Sequence, residues 1–161
     1  MATSFPSFLA LTNTVEIRGA LGVDTTDIDD TAICNLSPED DLESDLLSWV
    51  PTYKVLITEG LATSPTDAQK LKYLKLKIYA KYFISAMVAS SGINSILQKR
   101  SDGSNEGARF TNITLKELTE YLESKAAGIK NELELLIDST ISASYDHFGT
   151  APPSYDPVTN V

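Results

Sequence analysis

The sequence predicts a mainly α-helical fold, a small bundle built on two long helices at about residues 65–91 and 114–138. Apolar residues recur at helical spacing through both segments, and capping residues precede each of them. A chain of 161 residues is long enough to bury one hydrophobic core without disulfides or metal. We therefore expect one folded unit with tails: an N-terminal arm at 1–12, a helical domain at 13–140 and an extended C-terminal arm at 141–161.

The first predicted helix is short and covers residues 14–21. Gly22 follows it as a C-terminal stop, because glycine adopts the left-handed backbone that ends many helices. The apolar residues of this helix are Val15, Ile17 and Leu21. The acidic stretch at 24–30 is expected to form a loop that leads to the next helix.

A second helix is predicted from Pro38, because Ser37 is a suitable N-cap and proline fits the first helical position, where no N–H is needed. Acidic residues in its first turn complement the helix dipole. Pro51 ends this helix, and a further short helix at 53–59 closes at Gly60. The apolar residues of the second helix, all expected to face inward, are Leu42, Leu46, Leu47, Trp49 and Val50.

The long helix at 65–91 has two apolar faces. Ser64 is predicted to cap it, Pro65 takes the first helical position, and the next glycine or proline is Gly92. At about 100° per residue, its apolar residues fall on two opposite stripes. One stripe contains Leu71, Leu74, Ile78 and Tyr82. The other contains Tyr73, Leu76, Ala80, Phe83 and Met87.

An ordinary surface helix buries one face, so the second stripe must pack against a further part of the protein or against another subunit. Either both stripes are buried inside the monomer, or one packs the core while the other packs a neighbouring subunit. Lysines separate the stripes, and their stems can lie along apolar surface while the ammonium groups stay in water. The candidate subunit interface comprises Tyr73, Leu76, Phe83 and Met87 with the flanking Lys72 and Lys75.

Negative charge is concentrated in the first third of the chain. Residues 1–50 contain ten acidic residues and one basic residue, Arg18, whereas the remaining 111 residues contain twelve of each. An acidic third and a lysine-rich helix suggest complementary surfaces, within one subunit or head to tail between copies. Two unrelated solvated faces are the alternative. A pI near 4.5 argues against adhesive binding to nucleic-acid phosphates.

The two segments that flank the last helix differ from the rest of the chain. Residues 93–112 contain an Asp-Gly pair within a polar cluster, which favours a short β-hairpin-like insertion between the long helices. The last helix opens with a capping box of Thr114 and Glu117, and Gly128 in its interior is explained most simply by close packing. Its apolar residues at helical spacing are Leu115, Leu118, Leu122, Ile129, Leu133 and Leu136. From residue 139 the sequence is polar and contains prolines, so little packed structure is expected there in an isolated monomer.

Residue types that carry common chemistries are sparse. Cys34 is the only cysteine and is expected to be an inert buried thiol, and His147 is the only histidine. Segments that begin like calcium loops at Asp27 and Asp102 lack the glutamate required at the twelfth position. There is no phosphate-binding glycine loop, nucleophile elbow or long apolar run. We therefore expect no enzymatic activity, no cofactor, no metal and no membrane span.

The order of these elements resembles that of a known family. The chain presents a short helix ending at Gly22, a helix ending at Pro51, a long helix with alanine and tyrosine, a polar segment at 101–110, a leucine-rich helix and a tail containing Phe148 and Tyr155. Over most of residues 12 to 160, this order is similar to that of the head-to-tail connector proteins of tailed bacteriophages. These are also called adaptor or head-completion proteins.

The resemblance implies a virion structural protein that forms a homo-oligomeric ring of twelve subunits beneath the portal protein. The ring would be assembled in the host cytoplasm and would lie at the head–tail junction of the virion. Tail, tail-terminator or nozzle proteins would bind to it, and DNA would pass through its bore without specific binding. A C-terminal arm that orders against the portal is recurrent in such connectors. Here its anchors would be Tyr145, Phe148, Pro152, Pro153 and Tyr155.

Two other function classes fit the same residues. One is a non-enzymatic acidic helical binding module or regulator that acts as a monomer or dimer. The other is a hydrolase that uses two carboxylates, since acidic residues are plentiful although no pair is singled out.

Overall fold

A computed structural model describes residues 5–91 and 115–145, and the side chains of the second segment are described at 116–138. Within these ranges the chain forms six helices and one two-stranded antiparallel hairpin. The mainly helical prediction is thereby confirmed. The predicted hairpin-like insertion at 93–112 lies outside the described residues.

The chain begins with a hairpin of strands β1 (Ser7–Phe8) and β2 (Thr12–Asn13). Leu9 and Ala10 in its turn have φ of 50° and 57°. Positive φ at both central residues is the conformation of a type I′ turn, whose twist matches that of the paired strands. The Phe8 side chain, and that of Leu11 after the turn, are buried in the core. The boundary predicted for the N-terminal arm, 1–12, is therefore wrong, because the hairpin belongs to the folded domain.

Helix α1 (Thr14–Leu21) follows directly and matches the predicted span. The Asn13 side chain accepts a hydrogen bond from the Glu16 N–H at its start, and Gly22 ends it with a φ of 70°. Helix α2 (Asp30–Cys34) was not predicted. It has only five residues, too few to show a helical period, although Asp29 caps it by accepting from the Ala32 N–H.

Helices α3 (Pro38–Trp49) and α4 (Tyr53–Gly60) lie where the proline signals place them. Ser37 has a φ of 51° and its side chain makes no capping hydrogen bond, so α3 starts because of Pro38 and the acids that follow. Leu42, Leu46 and Val50 are buried as predicted, and Trp49 packs against the core. Leu47 is exposed, contrary to prediction, because it lies on the opposite side of α3 from these residues.

Helix α5 (Asp67–Ser90) starts two residues later than predicted. Thr66, not Ser64, caps it: the Thr66 hydroxyl accepts from the Gln69 N–H, and the Gln69 side chain accepts from the Thr66 N–H. This reciprocal capping box satisfies two helix-end donors and competes successfully with the Ser64-Pro65 start.

Helix α6 (Leu115–Tyr145) is 31 residues long and continues seven residues past the predicted end at 138. The predicted start of the C-terminal arm at 141 is therefore wrong. Lys75 on α5 pairs with Glu132 on α6, whereas Ser90 and Glu123 line a groove at the other end of the pair. The two long helices are therefore antiparallel.

Helix α5 is the centre of the bundle. It contacts strand β2 and helices α1, α3, α4 and α6. In its C-terminal half, the side chains that face the rest of the bundle are buried. These residues are Ile84, Ser85, Ala86, Val88 and Ala89. Phe83 and Met87 on the remaining side are half-buried and Ser90 is exposed, so this half of the helix is not covered all round within one subunit.

Candidate assembly surface

The N-terminal half of α5 leaves one of its two stripes uncovered. Leu71 and Leu74 are 42% and 51% exposed, and Leu135 on α6 is 70% exposed. Lys75 on α5 pairs with Glu132 on α6. Leu71 lies one turn before Lys75, and Leu135 lies one turn after Glu132. Because α5 and α6 are antiparallel, all three leucines lie at the same end of the pair. We call Leu71, Leu74 and Leu135 the outer patch.

The interface stripe predicted from the sequence lies mainly inside the subunit. Leu76 is 0% exposed in the single chain, so it has no surface left for a neighbour and its assignment to an interface is wrong. Tyr73, Phe83 and Met87 are half-buried and pack against the core. The stripe is turned inward because α4 and α6 both pack on this side of α5. Gly60 at the end of α4, for example, lies against the Tyr73 side chain.

The lysines beside that stripe also act within the subunit. Lys75 is 25% exposed and links α5 to α6 through Glu132. Lys72 is half-buried one turn earlier. Lys77 lies 3.8 Å from the Glu16 carboxylate of α1, so part of the predicted charge complementarity is satisfied inside one chain.

Many acidic residues of the first third also have partners in their own subunit. Asp29 caps α2. Glu39 accepts a hydrogen bond at 3.1 Å from the Leu9 N–H of the hairpin turn. Glu43 accepts from the Tyr53 hydroxyl and pairs with Lys54, and these two hydrogen bonds lower the pKa of its carboxyl. The acidic third is therefore in large part a set of caps and ion pairs rather than a free acidic face.

Arg18 is a buried charge that sequence reasoning did not single out. Its guanidinium donates to the Asp30 carboxylate at 2.5 Å and to the Ile28 carbonyl at 3.3 Å. The nearby Thr14 hydroxyl and then the Arg18 guanidinium hold the pKa of the Asp30 carboxyl below its ordinary value. The pair links α1 to the start of α2 and fixes the acidic loop between them.

An aromatic cluster joins α3, α5 and α6. The Asp45 carboxylate accepts from the Trp49 indole at 2.9 Å and from the Tyr79 hydroxyl at 2.5 Å. The two rings meet edge to face at 5.0 Å, and Phe83 lies 5.8 Å beyond Tyr79. The Lys130 ammonium of α6 lies 4.9 Å from the Trp49 ring centre. Burial, and then the Asp45 carboxylate, raise the pKa of the Tyr79 phenol, which therefore stays protonated.

The described residues lack the features of a metal site and of a membrane-spanning helix. Across 5–91 and 115–145, no group of three or more His, Cys, Asp or Glu side chains could hold a metal ion. Over the same residues, no helix has the length and apolarity needed to cross a membrane. Cys34 is exposed, not buried as predicted, because α2 turns Ile33 toward the core instead.

The residues assigned to a portal-binding arm lie at the end of the described residues or beyond it. Tyr145 is the last residue of α6, and its side chain is not described. Phe148, Pro152, Pro153 and Tyr155 lie outside the described residues.

Comparison with known proteins identifies no relative of the chain. No protein-family model, curated protein or solved structure matches it.

Proposed function

We propose that this chain is a virion structural protein, a head-to-tail connector that forms a ring beneath the portal of a tailed bacteriophage. The outer patch carries this proposal: three leucines are exposed at one end of α5 and α6, beside a core that the other stripe of α5 already fills. Exposed apolar residues grouped on one part of a surface are typical of protein–protein contacts. The order of elements along the sequence supports a connector over other assembling proteins.

In this proposal the protein works by binding alone. A ring of twelve subunits requires a heterologous contact, in which the outer patch of one copy packs on a different surface of the next. The portal would bind one face of the ring, and tail, tail-terminator or nozzle proteins the other. A subunit with net charge -9 suits a bore that passes DNA without gripping its phosphates.

Electron microscopy of negatively stained complexes with a portal protein tests the proposal. We expect rings from the wild-type chain and none from Leu71→Asp or Leu135→Asp, because an aspartate in the contact would be buried without a partner. Leu47→Asp is the matched control, since Leu47 is a 51% exposed leucine on α3, a helix that contributes no residue to the outer patch. It should assemble as the wild type does. Circular dichroism should show the same helical content in all four proteins.

Two outcomes would count against the proposal. If the outer-patch variants form rings equally well, the outer patch is not part of the subunit interface. A wild-type chain that forms no ring and does not join the portal would favour the acidic helical binding module, acting as a monomer or dimer. That module would still use the outer patch, but for a partner of another kind.

A further inference from the structure

A groove of about 390 Å³ lies between the C-terminal half of α5 and the middle of α6. Its walls are largely apolar, and its α6 side ends in one acidic and one basic residue. Residues that line it include Phe83, Ala86 and Met87 from α5 and Ala127, Glu123 and Lys130 from α6. The volume falls within the range of sites that hold small ligands or a few peptide residues. The outer patch is at the opposite end of the helix pair, so this groove is a separate surface.

One wall of the groove continues into the aromatic cluster. Phe83 lines the groove, Tyr79 borders it with 3% of its surface exposed, and Trp49 packs on Tyr79 behind them. Grooves lined by aromatic rings characteristically bind proline-rich segments, because proline is preformed in the extended polyproline conformation and loses little entropy on binding. Tyrosine suits such a groove too, since its ring is apolar and its hydroxyl can reach a polar rim.

The sequence after α6 contains a segment of this composition. Residues 146–161 follow α6 directly and contain Pro152-Pro153-Ser154-Tyr155. Two adjacent prolines favour the polyproline conformation, and the tyrosine follows one residue later.

The length of α6 determines where that segment can reach. Lys130 precedes the end of α6 at Tyr145 by fifteen residues, a distance of about 22 Å along the helix axis. About seven extended residues cover this distance, which brings residue 152 level with Lys130. About three more residues reach the level of Glu123. A segment that runs straight back along α6 therefore places 152–155 over the groove.

We infer that in the free subunit the C-terminal segment 146–161 binds the α5–α6 groove of its own chain. Pro152 and Pro153 pack on the aromatic wall near Lys130, and the Tyr155 hydroxyl donates to the Glu123 carboxylate. This inference concerns the isolated subunit and requires neither ring nor portal. If the same segment also anchors the subunit to the portal, as the resemblance to connector proteins implies, the two binding modes exclude each other.

Disulfide formation between introduced cysteines tests the inference in the full chain. In a Cys34→Ser background, Ala127→Cys on the groove is combined with Ser154→Cys. The matched control combines Lys125→Cys with Ser154→Cys, because residue 125 is two positions away but on the other side of α6. All substituted residues on α6 are exposed, so the fold should be unaffected.

We expect the Ala127→Cys pair to form an intramolecular disulfide about tenfold faster than the control, because binding raises the effective concentration of residue 154 at the groove. Adding Tyr155→Ala should lower the rate to that of the control. Equal rates for the two pairs would overturn the inference. A disulfide between labelled and unlabelled copies in a mixture would also overturn it, because the groove would then hold the segment of a second copy. None of these measurements depends on ring formation.

Discussion

At the scale of single residues, the Arg18–Asp30 pair shows how a charge is accommodated in the core. Arg18 is 4% exposed and the Asp30 side chain 36%, so the carboxylate reaches solvent while the guanidinium does not. Removing the carboxylate leaves a buried cation without its partner, which costs several kcal/mol in fully buried pairs. The partial exposure of Asp30 reduces that cost.

We predict that Asp30→Asn lowers the free energy of unfolding by about 2 kcal/mol at pH 7. The pKa of Asp30 is lowered in the folded state, so its contribution is present above pH 3.8 and is lost as pH falls through the lower, folded value. The variant should therefore differ less from the wild type at pH 3 than at pH 7. Urea unfolding at both pH values measures this. Asp138→Asn, an exposed change on α6, should stay within about 0.5 kcal/mol at either pH.

Two glycines in helices are predicted to respond to alanine in opposite directions. The sequence suggested close packing at Gly128, but a Cβ added there meets nothing within 4 Å. Gly128→Ala should therefore raise the free energy of unfolding by about 0.5–1 kcal/mol, since alanine is the better helix former. A Cβ added at Gly60 would lie 2.2 Å from the Cβ of Tyr73, so Gly60→Ala should destabilise the protein by about 1–3 kcal/mol. Thermal denaturation of both variants compares them, and a loss of stability in Gly128→Ala would contradict the open site.

At the scale of helices and strands, prediction succeeded where local chemistry decides. Gly22 and Pro38 place the end of α1 and the start of α3, because their backbone preferences act without distant contacts. Prediction failed where competing local signals or tertiary contacts decide. Thr66 and Gln69 formed a better cap than Ser64, and the hairpin needed buried contacts from Phe8 and Leu11.

The sequence alone does not determine which apolar stripe of α5 faces the core. Both stripes have helical spacing, and the choice between them depends on where α4 and α6 pack. Leu135 was not predicted to belong to a surface patch. It lies between Leu133 and Leu136, which follow the core period, whereas Leu135 itself is exposed. A leucine off the core period of a helix is the signal that would have indicated this part of the outer patch.

The two stripes of α5 should differ sharply in their response to truncation. Leu76→Ala is predicted to lower the free energy of unfolding by about 2–5 kcal/mol, because Leu76 is fully buried. Leu74→Ala, two residues earlier on the exposed stripe, should change it by about 0.5 kcal/mol or less. Urea denaturation of the monomer at low concentration distinguishes them. Equal losses in the two variants would mean that both stripes are covered in the isolated chain.

At the scale of the whole molecule, net charge and the outer patch act in opposite directions on assembly. Copies that each carry a formal charge of -9 repel one another, whereas the exposed leucines favour contact. If copies instead joined through lysines and acids, salt would weaken the contact. The proposed contact is apolar, and Lys75 and Lys77 already have partners in their own subunit.

We therefore predict that self-association strengthens as salt rises from about 0.05 to 0.5 M, because screening reduces repulsion across a Debye length of about 10 Å or less. Analytical ultracentrifugation at a series of salt concentrations measures the association constant. Leu71→Asp should show weak association at every concentration of salt. Association that weakens with added salt would show that complementary charges, not the outer patch, hold the subunits together.

The central position of α5 also affects the protein while it is being synthesised. The hairpin and α1 are made first, yet Ser85, whose hydroxyl donates a hydrogen bond to the Ile17 carbonyl, is 68 positions further along the chain. At ribosomal speeds of about 5–20 residues per second, Phe8, Leu11 and Ile17 remain without their contacts to α5 for about 3–14 s. Residues 1–50, which include the hairpin and α1, contain ten acidic residues and one basic residue. The acidic first third therefore keeps unfinished chains apart until α5 emerges from the ribosome and the N-terminal elements can fold against it.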